Sequence, residues 1–109
     1  SLVPLLNGPT PPDWRKRFLV EHYAAVPNFT PVPVADPGWF EYFGVRDQSQ
    51  IFIQYSYGDQ EYYDLTLDPY QLTNTVATAN AMVVQGLNSR LPALKACAGA
   101  TCRTEESRQ

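Results

Sequence analysis

Ile51-Phe52-Ile53-Gln54-Tyr55-Ser56-Tyr57-Gly58-Asp59-Gln60-Glu61-Tyr62-Tyr63-Asp64-Leu65 is the stretch that decides the fold. Ile51, Ile53, Tyr55 and Tyr57 alternate with Phe52, Gln54 and Ser56, the period-two pattern of a strand. Gly58-Asp59 supplies a tight turn, and residues 61–65 follow as the returning strand. Upstream, Trp39 to Val45 reads as a strand joined to this hairpin by a short connection. Three sequential strands with short connections predict an antiparallel meander. A further strand is predicted over Phe18 to Tyr23, with Phe18, Val20 and His22 on one face and Leu19, Glu21 and Tyr23 on the other. Both faces carry apolar residues, which predicts a strand interior to the sheet.

The proline and aromatic distributions support this division. Eight of the ten prolines lie at or before Pro37, and long regular structure is disfavoured there because proline fixes φ and removes a donor. Residues 1–14 read as an extended lead-in with turns at Asn7-Gly8-Pro9 and Pro11-Pro12-Asp13. Residues 24–38, with four prolines and no periodicity, read as a loop. Nine of the fourteen aromatics fall between Trp39 and Tyr63, where a pleated half-buried surface suits them.

Beyond the hairpin, Asp68-Pro69 ends the sheet. Thr73, Asn74 and Thr75 offer helix caps, because a short side-chain oxygen can accept a free N-terminal N–H. From Val76 onward, Val76, Val83, Leu87, Leu91 and Leu94 mark one helical face. Gly86 weakens that helix by about 1 kcal/mol relative to Ala. Pro92 predicts either a kink or a stop near Arg90 with a restart at Pro92. The tail from Arg103 is polar and is expected to fray. No internal repeat is visible.

With 109 residues, 44% hydrophobic and 17% charged, the chain has room for one modest core and is not disordered by composition. The net charge of −3 argues against a nucleic-acid partner, which calls for a basic face. No apolar run approaches the roughly 20 residues a membrane span needs. Ser1 to Leu6 lacks the positive flank of an intact signal peptide. With no initiator Met, the chain is expected to be a processed or excised piece.

Few residues offer chemistry. His22 is the single histidine, so no multi-histidine metal cluster can be built. A packed, hydrogen-bonded His22 is the reading favoured on general grounds; the functional reading has it at the strand end, reaching toward a substrate pocket. Cys97 and Cys102 are too few for a protein-only zinc site and lack the C-x-x-C redox spacing. A local disulfide, with Gly99 helping the chain turn back, is the better reading and implies an oxidising compartment. Two free thiols in a cytosolic protein is its alternative. Asp59, Glu61, Asp64 and Asp68 lack the calcium-loop pattern and read as solvated turn carboxylates and caps. Asn28-Phe29-Thr30 is a glycosylation sequon followed by Pro31. Arg15-Lys16-Arg17 reads as a solvated start to the first strand.

The run Glu61-Tyr62-Tyr63-Asp64-Leu65-Thr66-Leu67-Asp68-Pro69-Tyr70-Gln71-Leu72-Thr73-Asn74 resembles the ELYDL…DP.Q..N signature near the C-terminus of the sulfatase family. Ser1-Leu2-Val3-Pro4-Leu5-Leu6-Asn7-Gly8 looks like that family's DG.SL.PLL.G segment, cut after its Asp-Gly. Trp14-Arg15, followed by Phe18-Leu19-Val20-Glu21, looks like its WR…vlvE strand. Cys97-Ala98-Gly99-Ala100-Thr101-Cys102-Arg103 is similar to the C.G..CR tail of the branch that includes N-acetylglucosamine-6-sulfatases and many bacterial arylsulfatase-like proteins. Four matches in family order cover nearly the whole chain.

The resemblance implies an α+β fold: a four-stranded antiparallel sheet with one C-terminal helix packed on a face. Residues 15–103 would be a sulfatase C-terminal subdomain, 1–14 a lead-in running along the large domain, and 104–109 a polar tail. Sulfatases hydrolyse sulfate esters with a formylglycine made from a C/S-x-P-x-R motif, and no such motif occurs here. The resemblance therefore assigns no catalytic or metal residue to this chain. It implies calcium and formylglycine in a parent enzyme, the N-terminal catalytic domain as partner, and a sulfated small molecule or glycan as substrate. It also implies a secreted, periplasmic or lysosomal setting. Where many sulfatases carry Lys-Tyr, this chain has Gln54-Tyr55, and no substrate role passes to Gln54. His22 is the one candidate for the substrate rim. With one helix on one face, Leu19, Phe43, Phe52 and several tyrosines are expected to remain for the large domain to cover. A different class of function, a free-standing non-catalytic module that binds through the aromatic sheet face, is the alternative.

Overall fold

The computed structural model describes residues 3–12, 14–23 and 41–108. Its elements are α1 (Val3–Leu6), β1 (Arg17–His22), β2 (Tyr42–Asp47), β3 (Gln50–Tyr55), β4 (Gln60–Asp64), α2 (Ala81–Ala96) and α3 (Ala100–Ser107). The strands form one antiparallel sheet in the order β1-β2-β3-β4. This is the expected α+β sheet, with α3 added to the one expected helix. Loop 24–38, the sequon at Asn28, and Trp39 and Phe40 lie outside the described residues.

Local chemistry fixes each turn of the meander. Between β2 and β3, Asp47 Oδ1 accepts from the backbone N–H of Ser49 at 2.8 Å and of Gln50 at 3.0 Å. That side-chain turn extends β2 to Asp47, two residues beyond the expected end. Between β3 and β4, Gly58 donates to Tyr55 O at 3.1 Å with a φ of 103°, a conformation that glycine adopts without a Cβ clash.

The register sets one row of side chains across all four strands: Leu19, Val45, Phe52 and Tyr62. α2 lies on this row and buries Leu87, Leu91 and Leu94 against it, with Phe43, Val83 and Val84 at the margin. Val45 and Phe52 are fully buried, and each contributes about 1.5–3 kcal/mol of transfer free energy. Leu19, Phe43 and Phe52 are therefore core under the helix, contrary to the expectation that they remain open. The other face carries Phe18, Val20, His22, Tyr42, Ile51, Ile53, Tyr55 and Tyr63.

Several further expectations are corrected. β1 is an edge strand, not an interior one; two apolar faces report layers above and below a strand, not neighbours beside it. One helical turn, Val3–Leu6, stands within the segment read as extended. α2 begins at Ala81, capped by Asn80, whose side chain accepts from Met82 N at 2.9 Å. Thr73 to Thr75 do not cap a helix, because Asn74 and Thr75 serve the open edge of β4. Asn74 Nδ2 donates to Gln60 O at 3.0 Å, and Thr75 N donates to Tyr62 O at 3.0 Å. An uncovered edge would otherwise present unpaired backbone groups.

α2 continues through Pro92 without a break, from Ala81 to Ala96. Its tertiary burial of Leu87, Leu91 and Leu94 outweighs the local penalty. Of the tail expected to fray, Arg103 to Ser107 are helical, the end of α3. Gly99, at φ 56°, turns the chain after α2, and the disulfide holds the start of α3 there. α3 then docks on the start of β1: Lys16 N donates to Glu106 O at 2.9 Å, and Arg15 pairs with Glu106 at 3.8 Å.

Candidate functional site

The chemistry-bearing side chains gather at one end of the sheet, where β1 and β3 end and β2 begins. On the face opposite α2, rings form a file. His22 stacks on Tyr42 at 5.3 Å with 13° between planes, Tyr42 meets Tyr55 at 5.6 Å, and Tyr55 meets Tyr57 at 5.2 Å. The antiparallel register puts His22 directly across from Tyr42 and Tyr42 across from Tyr55. His22 is half-buried in this file.

Glu61 anchors the adjoining edge. Its Oε1 accepts from Tyr55 OH and its Oε2 from Tyr63 OH, both at 3.0 Å. Burial first, and then the Glu61 carboxylate, push both hydroxyls up to about 12. The two tyrosines thus stay protonated and donate across the physiological range. This arrangement can bind and orient; it supplies no nucleophile.

On the α2 side of the same end lies an open groove of about 830 Å³, lined by Glu41, Phe43, Gln54, Asn88, Pro92 and Lys95 among others. Lys95 Nζ sits 3.4 Å from the centre of the Phe43 ring. The sequence singles out none of Glu41, Lys95 and Asn88 as candidates. Glu41 lies far along the chain from Asn88 and Lys95 on α2, and no motif spacing links the three.

The other sequence candidates have structural work. Cys97 and Cys102 are bonded, with Cα atoms 4.9 Å apart. Asp64 accepts from Thr66 N at 2.9 Å, and Asp68 from Leu72 N at 3.0 Å and Thr73 N at 2.9 Å. These hydrogen bonds hold both carboxyls below their usual range. Burial pushes Asp47 up, but the hydrogen bonds from Gln50 and Ser49 prevail and hold it low. Of the basic run, Arg15 pairs with Glu106, and Arg17 is lowered by burial and by Arg90. Among the described residues, no group of three His, Cys, Asp or Glu is placed to hold a metal. No helix among them is long and apolar enough to cross a membrane.

Human N-acetylglucosamine-6-sulfatase is 34% identical over 126 aligned positions, covering 95% of this chain and 23% of that protein. The goat protein of the same name is 32% identical, with 95% and 22% covered. The chain resembles a sulfatase subdomain. It spans less than a quarter of the length of the curated relatives it matches. A solved structure, described as a complex with its substrate D-glucosamine-2-N,6-O-disulfate, superposes on this sulfatase-like chain with a TM-score of 0.64. It is 28% identical and covers 84% of this chain and 18% of the other. No family model matches the chain. The likeness covers most of this chain, 95% in sequence and 84% in structure.

Proposed function

We propose that this chain is the C-terminal subdomain of a sulfate-ester hydrolase whose chemistry resides in a separate catalytic domain. One observation carries the reading: identity to N-acetylglucosamine-6-sulfatases extends over 95% of this chain but only 23% of the human protein. The catalytic groups of such an enzyme do not fit the residues here. Cys97 and Cys102 are bonded to each other and are followed by Ala98-Gly99 and Arg103-Thr104, not by x-P-x-R. Calcium and formylglycine accordingly belong to the partner domain in this reading.

The role left to the subdomain is to shape and close one side of the substrate cleft. The face bearing Phe18, Val20, Ile53 and Tyr55 packs on the catalytic domain, and His22 at its end stands at the rim of the cleft. Sulfated sugars are the substrate class, and the disulfide fits a secreted, periplasmic or lysosomal setting.

The test is sulfate release from an aryl sulfate and from glucosamine 6-sulfate by the purified chain, with and without calcium. The expected result is none above the buffer blank. Turnover that tracks with the chain through purification overturns the division of labour.

A further inference from the structure

The two edges of the sheet are finished differently. Ser56 N donates to Glu41 O at 2.9 Å, across the β2–β3 pair. Backbone groups alternate sides along an antiparallel strand. By the register, Phe43 and Val45 then turn theirs toward β3, and Tyr42, Gly44 and Arg46 toward β1. Phe18, Val20 and His22 accordingly face β2, and Arg17, Leu19 and Glu21 turn their N–H and C=O groups outward. On β4 the outward residues are Gln60, Tyr62 and Asp64. Asn74 bonds Gln60 O and Tyr62 N, Thr75 N donates to Tyr62 O, and Leu67 N and Asp68 N donate to Asp64 O. On β1 the outward backbone groups of Arg17, Leu19 and Glu21 have no such partner among the described residues; α3 meets the chain only before the strand, at Lys16 N. A bare edge is a template for another strand.

The sequence of this edge is complementary to itself. Antiparallel pairing of two copies of Arg17–His22 centred on Leu19 sets Arg17 opposite Glu21, Leu19 opposite Leu19, and Glu21 opposite Arg17. Outward groups then meet outward groups, and each of these pairs exchanges two N–H···O bonds. Only this register puts both Arg17 and Glu21 opposite an opposite charge, which stabilises a strand pair where like charges destabilise it. Arg17 lacks such a counterpart in its own chain: among the described residues it forms no ion pair, and its Nε and Nη1 are buried without a hydrogen-bond partner. On the opposite face the same register sets Phe18, now 41% exposed, against Val20.

We infer that the bare edge of β1 pairs with the β1 edge of a second copy of this chain, joining two sheets into one continuous antiparallel sheet. The relation is two-fold, so each Arg17 meets Glu21 of the other copy. Pairing uses up both β1 edges, and the side chains and turns along β4 occupy the other two, so assembly stops at two copies. Strand pairing alone buries less than the roughly 1,200 Å² of a standard interface, which makes the dimer a weak one, with a Kd of about 10–100 µM. The contact uses an edge and not the sheet face assigned above to the catalytic domain, and it does not rest on that assignment.

The experiment is sedimentation equilibrium of the 109-residue chain up to about 1 mM, with NMR on a mixture of isotope-labelled and unlabelled copies. The expected result is a monomer–dimer equilibrium, with an intermolecular contact between the α protons of Phe18 and Val20 and slowed exchange of the Leu19 amide in the dimer. Glu21 is exposed and accepts only from Tyr23 OH, so Glu21→Lys spares the core. That variant sets like charges opposite each other twice and should weaken the dimer about tenfold. Adding Arg17→Glu to it restores opposite charges and should recover most of the loss, which a folding defect cannot do. A chain that stays single at the highest concentration overturns the inference. So does a dimer without the Phe18–Val20 contact, which would be joined through the sheet face instead. Growth beyond two copies, or a Glu21→Lys chain that associates as the parent does, overturns it as well.

Discussion

The side-chain oxygen of Asn74 accepts the backbone N–H of Tyr62 at 3.1 Å. The same oxygen accepts from Val76 N at 3.1 Å, and the amide donates to Gln60 O at 3.0 Å. One side chain thus seals part of the edge of β4 and shapes the approach to α2. Asn74→Ala removes three hydrogen bonds, each worth about 0.5–1.5 kcal/mol when buried and less where water can substitute. A loss of about 1–2 kcal/mol in urea unfolding is expected. Asn74→Asp keeps the acceptor and should lose less.

Gly44 and Gly86 should respond to alanine with opposite signs. A Cβ at Gly44 would meet Phe52 O at 2.8 Å and Ile53 Cγ1 at 3.2 Å. Gly44→Ala forces β2 and β3 apart and should destabilise by about 1–3 kcal/mol. At Gly86 nothing lies within 4 Å. Gly86→Ala should stabilise α2 by about 0.5–1 kcal/mol. Thermal unfolding of the two variants checks both signs.

Breaking the Cys97–Cys102 bond should loosen α3 more than the sheet. The closed loop is short, and the chain-entropy model gives it about 2 kcal/mol. The expected signature is local: the Lys16 amide, which donates to Glu106 O in α3, should exchange faster in the Cys97→Ser/Cys102→Ser chain. The amide of Phe52, in the core row, should stay protected until global unfolding.

Alkaline pH should destabilise the fold through Tyr55 and Tyr63. Their hydroxyls titrate at about 12 when folded, against an ordinary tyrosine value of 10.0. Between those values the unfolded chain has released the protons and the folded chain still holds them. Stability from this source is therefore complete below pH 10 and falls as pH rises toward 12. Tyrosine ring NMR shifts should show these two hydroxyls ionising late, and Glu61→Gln should bring both ionisations earlier.

The meander is legible in the sequence because its signal is local and periodic. Ile51 to Tyr57 alternates without interruption, and Gly58 marks the turn. Leu87, Leu91 and Leu94 likewise announce the buried face of α2. What stays hidden depends on residues far apart in sequence. Asn74 looks like a cap until its partners Gln60 and Tyr62 are known, fourteen and twelve residues away. Alternation divides the strands into two faces but does not say which face the helix takes, so the expectation for Leu19 and Phe52 falls on the wrong side. α3 is hidden because its sequence is polar; its anchors are the disulfide and the backbone of Lys16. The groove joins Glu41, Gln54 and Lys95 from separate stretches of the chain, and only the fold brings them together.

Whether this chain works as one part of a larger sulfate-ester hydrolase is decided by intact mass and peptide sequencing of the native protein. The expected polypeptide is about five times as long, since the 126 aligned positions make up 23% and 22% of the human and goat relatives. A C/S-x-P-x-R motif is expected upstream of Ser1. A native protein that begins at Ser1 and carries no such motif contradicts this reading.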